Sequence, residues 1–141
     1  MLLAIGTINL GLLIGGNVFE QLYVMPGCRQ AGGIATWKAF NTRNVALFFL
    51  PLAVSAGLCL VASTALVYSD AKLVAMASVV AALVLTGAYI IPRIVRVFAR
   101  PRPGQTEAES LRLLGQYRSA NRVRLVLAFS GLVCAVIALR G

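Results

Sequence analysis

Two charge-free runs decide the fold: NVALFFLPLAVSAGLCLVASTALVYS at residues 44–69 and LVAMASVVAALVLTGAYIIP at residues 73–92. Only Asp70-Ala71-Lys72 separates them. A helix needs about twenty apolar residues to cross a hydrocarbon core of about 30 Å, and both runs meet that length. Because their connection is so short, the two runs predict a pair of antiparallel transmembrane helices.

Two further apolar runs flank this pair. No charge occurs before Glu20, and none occurs from Leu125 to Leu139. The last run is short, so its helix must begin near Tyr117 and carry Arg122 and Arg124 into or beside the membrane. The sequence therefore predicts an all-α, antiparallel, integral-membrane four-helix bundle, a single domain over 1–141 with spans of about 2–25, 44–68, 73–96 and 118–139.

The composition excludes several classes of protein. The chain is 60% apolar and 12% charged, with a mean hydropathy of +0.87, which is more apolar surface than a soluble domain of this size can bury. It has no histidine, and its cysteines, Cys28, Cys59 and Cys134, lie far apart. Imidazole metal or haem sites, Ser-His-Asp and Cys-His triads and CxxC motifs are therefore excluded, and we expect no metal and no other cofactor.

The net charge of +9 indicates topology rather than nucleic-acid binding. Eleven of the thirteen basic residues fall in or beside the connections between helices 1 and 2 and between helices 3 and 4, whereas Lys72 and Arg140 lie on the other side. The positive-inside rule then places both connections in the cytoplasm and both termini outside. Since the first run has no basic n-region and no cleavage site before Glu20, we expect it to be a mature helix and not a signal peptide.

Both long connections carry local structure signals. Residues 34–40 follow Gly32-Gly33 and predict a short interfacial helix between helices 1 and 2, with Trp37 at headgroup level. Thr106-Glu107-Ala108-Glu109 fits a capping box with Thr106 as the N-cap, which predicts that the fourth helix begins there.

Polar side chains share one face on several helices, mostly toward the cytoplasmic ends, and predict a cavity that opens inward. Glu20 is the acid or base of this predicted site, and Arg93 and Arg124 are its charge stabilisers. The residues expected to bind or orient a substrate are Asn17, Trp37, Asn41, Tyr89, Tyr117 and Asn121. Simpler interpretations remain open for several of them: arginines can reach the headgroups, tyrosines can be interfacial aromatics, and Glu20 can belong to an interfacial ion pair. For Asn9, we favour an interhelical hydrogen bond.

Four short motifs together resemble a known family. They are Gly16-Asn17-Val18-Phe19-Glu20 followed by Pro26, Phe48-Phe49-Leu50-Pro51, Tyr89-Ile90-Ile91-Pro92-Arg93, and Asn121-Arg122-Val123-Arg124. Over nearly its whole length the chain resembles the small four-helix bacterial membrane proteins grouped with the anthrone oxygenase-like domain of unknown function. The resemblance implies a multi-pass protein of the bacterial cytoplasmic (inner) membrane. Some members are associated with oxidation of phenolic polyketides without an evident metal or flavin.

Carried onto this chain, the family motifs mark as site candidates Asn17, Glu20, Pro51, Pro92, Arg93, Asn121 and Arg124. Many relatives carry histidine where this chain has Asn121, which argues against a histidine-dependent oxygenation. We therefore expect an integral-membrane enzyme of small-molecule biosynthesis that oxygenates, cyclises or isomerises an apolar polyketide-like or other polycyclic substrate. Two alternatives stay open: a small proton-coupled exporter that works as a dimer, and so as a homo-oligomer, and a non-catalytic membrane assembly partner.

Overall fold

The computed structural model describes residues 1–27, 35, 45–95 and 103–140. In that part of the chain there are four helices, each long and apolar enough to cross a membrane. Helix α1 spans Leu2–Gly27. Helix α2 comprises Val45–Phe49 and Leu50–Leu66, α3 comprises Asp70–Leu85 and Thr86–Val95, and α4 is one continuous helix, Glu107–Arg140. The predicted all-helical architecture, with four helices long and apolar enough to cross a membrane, is thereby confirmed for the described residues. The side of the membrane on which each terminus lies stays a prediction.

The helices alternate in direction around a ring. Helix α1 packs against α2, α2 against α3 and α3 against α4, and α4 also packs against α1. At one end of the bundle Gly16 of α1 lies against Phe49 of α2, and at the other end Gly6 lies against Cys59. These contacts make α1 and α2 antiparallel. The late residues of α1 and α3 therefore share one end of the bundle with the early residues of α2 and α4.

Leucine and alanine side chains are prominent in the centre, and large apolar side chains also cover the outside. Leu10, Leu60, Ala75 and Ala135 are fully buried in the core. Large apolar side chains are exposed all around the bundle, among them Ile8, Leu58, Val84, Phe129 and Ile137. An apolar exterior of this extent suits contact with lipid rather than with water.

The connections follow the predicted signals. The Glu109 backbone N–H donates to Thr106 Oγ1 at 3.2 Å, and the Thr106 N–H donates to a Glu109 carboxylate oxygen at 3.3 Å, so the predicted capping box is confirmed. Helix α4 begins at Glu107, well before the predicted span 118–139, and continues without a break to Arg140. At the α2–α3 turn the backbone N–H of Lys72 donates to the Ser69 hydroxyl at 3.3 Å, and a hydrogen bond to Asp70 raises the pKa of the exposed Tyr68 phenol.

Three of the helices contain wide, π-helical turns beside a proline. In α1 the π segment Glu20–Val24 precedes Pro26, and in α2 the segment Val45–Phe49 precedes Pro51. In α3 the segment Thr86–Val95 contains Pro92. Proline cannot donate the i to i−4 hydrogen bond, and its ring crowds the preceding turn, which disfavours regular α-helix there. All three segments lie at the same end of the bundle, and such turns are frequent at functional sites.

One polar contact joins α1 and α2 in the other half of the bundle. The Asn9 side-chain amide donates to the Ser55 hydroxyl at 2.7 Å. The prediction that Asn9 forms an interhelical hydrogen bond is confirmed, and Asn9 is assigned to packing rather than to the site.

Gly131 permits the close approach of α3 and α4. A Cβ atom at this position would lie 3.3 Å from the Ala75 carbonyl oxygen and 3.3 Å from Val79 Cγ2. We expect Gly131→Leu to lower the free energy of unfolding by about 1–3 kcal/mol, because the helices must separate to admit the side chain. Gly115→Leu is the matched control on the same helix, since a Cβ there would meet nothing within 4 Å. Thermal unfolding in detergent compares the two, and equal melting temperatures would contradict the packing argument.

Several predictions fall outside the described residues. They are the interfacial helix over 34–40, the candidate binding residues Trp37 and Asn41, and most of the basic residues in the two long connections.

Candidate functional site

A buried carboxyl group and a buried phenol meet between α1 and α4. The Tyr117 hydroxyl donates a hydrogen bond to Glu20 Oε1 at 2.8 Å. Glu20 is 1% exposed and Tyr117 is 2% exposed. Glu20 opens the π-helical turn of α1, while Tyr117 lies about three turns into α4. The contact joins residues far apart in sequence and fixes the register of the two helices at this level.

A second polar contact lies one turn deeper. The Arg124 guanidinium donates to Asn17 Oδ1. The Asn17 side-chain NH2 donates to the backbone carbonyl of Leu13 at 2.8 Å, so both ends of the buried amide are bonded and its oxygen is held toward Arg124. Arg124 also interacts with the Tyr117 hydroxyl. Glu20, Tyr117, Arg124 and Asn17 therefore form one cluster, which we call the α1–α4 polar cluster.

The cluster borders a cavity of about 90 Å³ to which all four helices contribute. Asn17, Glu20, Tyr117, Arg124 and Thr86 are its polar lining residues. The Thr86 hydroxyl donates to the Ala82 carbonyl at 2.7 Å and so faces its own helix. The rest of the wall is apolar: Leu10, Leu13, Phe49, Leu50, Ala53, Val79, Ala82, Leu83, Ile91, Leu125 and Ala128. Such a cavity excludes bulk water and strengthens the electrostatic effect of its few charges.

Asn121 lies on the same face of α4, between Tyr117 and Arg124. Its side chain is 0% exposed, and among the described residues neither its amide nitrogen nor its amide oxygen has a hydrogen-bond partner. In the same part of the chain three further buried nitrogens are also unpartnered: Nε2 of Gln21, Nε of Arg118 and Nε of Arg124. Buried polar atoms without partners are uncommon in folded proteins and call for a specific explanation.

The structure does not bring Arg93 and Tyr89 to this cluster. The Arg93 guanidinium lies 5.3 Å from the centre of the Tyr89 ring, over its face, and the Arg93 side chain is exposed. Tyr89 lines a separate groove with Gly115 and Ala120 of α4. Neither residue lines the cavity beside Glu20. The two residues form a cation–π pair of their own at the α3–α4 surface.

The sequence did not mark Gln21 or Arg118 as site residues. Arg118 belongs to a series of arginines that the charge pattern assigned to topology, and Gln21 lies just outside the family motif. The sequence signal that could have indicated them is their position, since Gln21 directly follows Glu20 and Arg118 directly follows Tyr117. Among the described residues, no group of three or more His, Cys, Asp or Glu side chains is placed to hold a metal ion.

Comparisons of the chain with protein-family models, with curated proteins and with solved structures found no match. The resemblance to the anthrone oxygenase-like family stays a prediction that rests on the four motifs. The geometry of the α1–α4 polar cluster is therefore the main basis for a functional argument.

Proposed function

We propose that the protein is an integral-membrane enzyme of small-molecule biosynthesis, which carries out metal-free acid–base chemistry on an apolar substrate of polyketide-like or other polycyclic type. The observation that carries the proposal is the buried Glu20–Tyr117 hydrogen bond at the wall of a cavity formed by four apolar helices. A buried carboxyl group without a role in folding or chemistry would be costly in a membrane.

Each member of the cluster has a chemical task. Glu20 takes a proton from an acidic carbon or a phenol of the substrate and returns it elsewhere. The Tyr117 hydroxyl and the Arg124 guanidinium, both of which line the cavity, stabilise the enolate or phenolate that forms. Asn17 orients Arg124 through its side-chain oxygen. Cyclisation and isomerisation of the activated carbon begin with this proton transfer. Oxygenation begins with it too and needs molecular oxygen as the oxidant: O2 bonds to the activated CH2 carbon, and the resulting hydroperoxide loses water to leave a carbonyl.

The cavity volume limits how much of the substrate enters. A cavity of about 150 Å³ holds one benzene ring, and the cavity here is about 90 Å³. A polycyclic substrate therefore places one reacting edge against Glu20, while the remainder lies between the helices or in lipid. Leu50 lines the cavity and is also 54% exposed on the outer surface, which marks the α2 side as the route of access.

The charge of the cavity disfavours export of cationic drugs. Arg124 lines the same space as Glu20, and its guanidinium would repel a cation that approached the carboxylate. Within the span Leu2–Gly27, Glu20 lies about 10 Å along the helix axis from Gly27 and about 27 Å from Leu2, rather than at the middle.

The test compares wild type with Glu20→Gln by native mass spectrometry after mild extraction from cells supplied with candidate biosynthetic extracts. Glu107→Gln is the matched control, because Glu107 is an exposed carboxylate on α4. We expect wild type and Glu107→Gln to convert a substrate that Glu20→Gln retains, with turnover lowered about 10²- to 10⁴-fold in Glu20→Gln, the range for loss of a general acid or base. Equal conversion by all three proteins would exclude Glu20 from the chemistry. No retained molecule and no conversion would favour the exporter or the assembly partner.

A further inference from the structure

The unpartnered Asn121 amide indicates a binding site for a polar group that is not part of the protein. Asn121 is fully enclosed, and both of its polar side-chain atoms lack hydrogen bonds to any residue that the structure describes. An amide left in this state is destabilising unless something binds to it. A leucine at this position would remove the problem at nearly the same volume, so the amide is better explained by a ligand than by packing.

The surrounding contacts locate the site at the interface of α1 and α4. Asn121 lies one helical turn after Tyr117, which bonds Glu20, and one turn before Arg124, which bonds Asn17. It is therefore enclosed between two established contacts of these helices. Gln21 follows Glu20 in α1, and Arg118 follows Tyr117 in α4. Arg118 also lines a second cleft, separate from the cavity beside Glu20, together with Met25 of α1 and Leu114.

The unpartnered atoms are mostly donors. Within the described ranges, four buried nitrogens carry N–H groups without acceptors, those of Gln21, Arg118, Asn121 and Arg124, whereas one buried oxygen, that of Asn121, lacks a donor. Two of the four belong to guanidinium groups, which are positively charged, and one carboxyl group, Glu20, lies in the adjacent cluster. An excess of donors together with an excess of positive charge is complementary to an anionic oxygen, and a carboxylate offers about four acceptor sites.

We propose that Asn121, Gln21, Arg118 and Arg124 together bind the carboxylate of an amphipathic organic acid. Of these four residues Arg124 lines the cavity, and the apolar part of the acid extends from Arg124 along the apolar cavity wall. The inference rests on the proposed function, because it takes organic acids of this kind to be the substrates of the proposed enzyme. A phospholipid phosphate is a poorer fit, because Asn121 is fully enclosed and two acyl chains cannot follow it between α1 and α4. The carboxylate anchors the molecule, and the carbon that reacts lies toward Glu20.

The experiment measures binding of dodecanoate, dodecanol and dodecyltrimethylammonium to the full chain in a neutral detergent by native mass spectrometry. The three probes share one chain and differ in head-group charge. We expect dodecanoate to bind about tenfold or more tightly than either of the others, the effect of hydrogen bonds to a charged group. Asn121→Leu and, separately, Gln21→Leu should abolish this preference, whereas Gln116→Leu, which removes an exposed amide from α4, should keep it.

Other outcomes overturn the inference. Equal binding of dodecanoate and dodecanol would mean that only the apolar chain is recognised. Retention of the preference in both Asn121→Leu and Gln21→Leu would place the anion elsewhere. Binding of phosphatidylglycerol without any preference for dodecanoate would assign the site to a lipid head group. Dodecanoate has no acidic carbon for Glu20 to deprotonate, so its binding is independent of turnover. If dodecanoate shows no preferential binding but conversion still depends on Glu20, only this inference fails. If dodecanoate binds preferentially but conversion does not depend on Glu20, only the proposed function fails.

Discussion

Replacement of Arg124 by methionine is expected to destabilise the protein by about 3 kcal/mol, near the lower end of the range for breaking a buried charged contact. Methionine keeps most of the aliphatic volume and removes the charge. Asn17, 4% exposed, then loses the donor to its side-chain oxygen, and the Glu20 carboxyl loses the cation of its cluster. Unfolding in mixed detergent micelles, followed by circular dichroism, measures the change.

Two companion variants make this result specific. Arg122→Met removes an exposed arginine two residues away, and we expect a change within about 0.5 kcal/mol. Adding Glu20→Gln to Arg124→Met should recover much of the lost stability, because the buried carboxylate that needed a cation is gone. If Arg124→Met and Arg122→Met were equally stable, Arg124 would be an interfacial arginine rather than a member of the cluster.

Most of the fold could be predicted from the distribution of charge. The runs without charge gave the four helices, and the capping box at Thr106 gave the start of α4, because both signals act locally. The wide turns were not predicted, since a π-helical segment leaves no hydrophobic period of its own. Their common feature is a neighbouring proline, at Pro26, Pro51 and Pro92. These prolines belong to the family motifs, but the motifs alone do not indicate that the helix widens there.

The exposed position of Arg93 follows from the π-helical segment of α3. In a regular α-helix Thr86 and Arg93, seven residues apart, would lie on one face, and Arg93 would then face the cavity together with Thr86. The segment between them is π-helical, so each residue advances through a smaller angle and the face is not kept. Thr86 lines the cavity and Arg93 does not. Tyr117 and Arg124 lie on regular α-helix seven residues apart, and both line the cavity.

The position of Asn121 also shows what sequence spacing cannot give. Spacing placed Asn121 beside Tyr117 and Arg124 but could not show that its amide has no partner, because that depends on which atoms α1 presents opposite it. Asn17, the other buried amide of the cluster, has partners at both ends. Two asparagines on facing helices therefore have opposite energetic roles.

Asn121→Leu is accordingly expected to raise the free energy of unfolding by about 1–3 kcal/mol, the desolvation penalty of a buried polar group without partners. Asn17→Leu is the matched contrast and should lower it, since its oxygen is the acceptor for Arg124. Thermal unfolding in detergent without added ligand shows whether each variant raises or lowers the stability. Stabilisation by Asn121→Leu together with loss of dodecanoate binding would mean that this amide is kept for a ligand at the expense of stability, as is common where binding residues conflict with packing. Destabilisation by Asn121→Leu would mean instead that the amide supports the free protein, and the argument for a ligand at this position would fail.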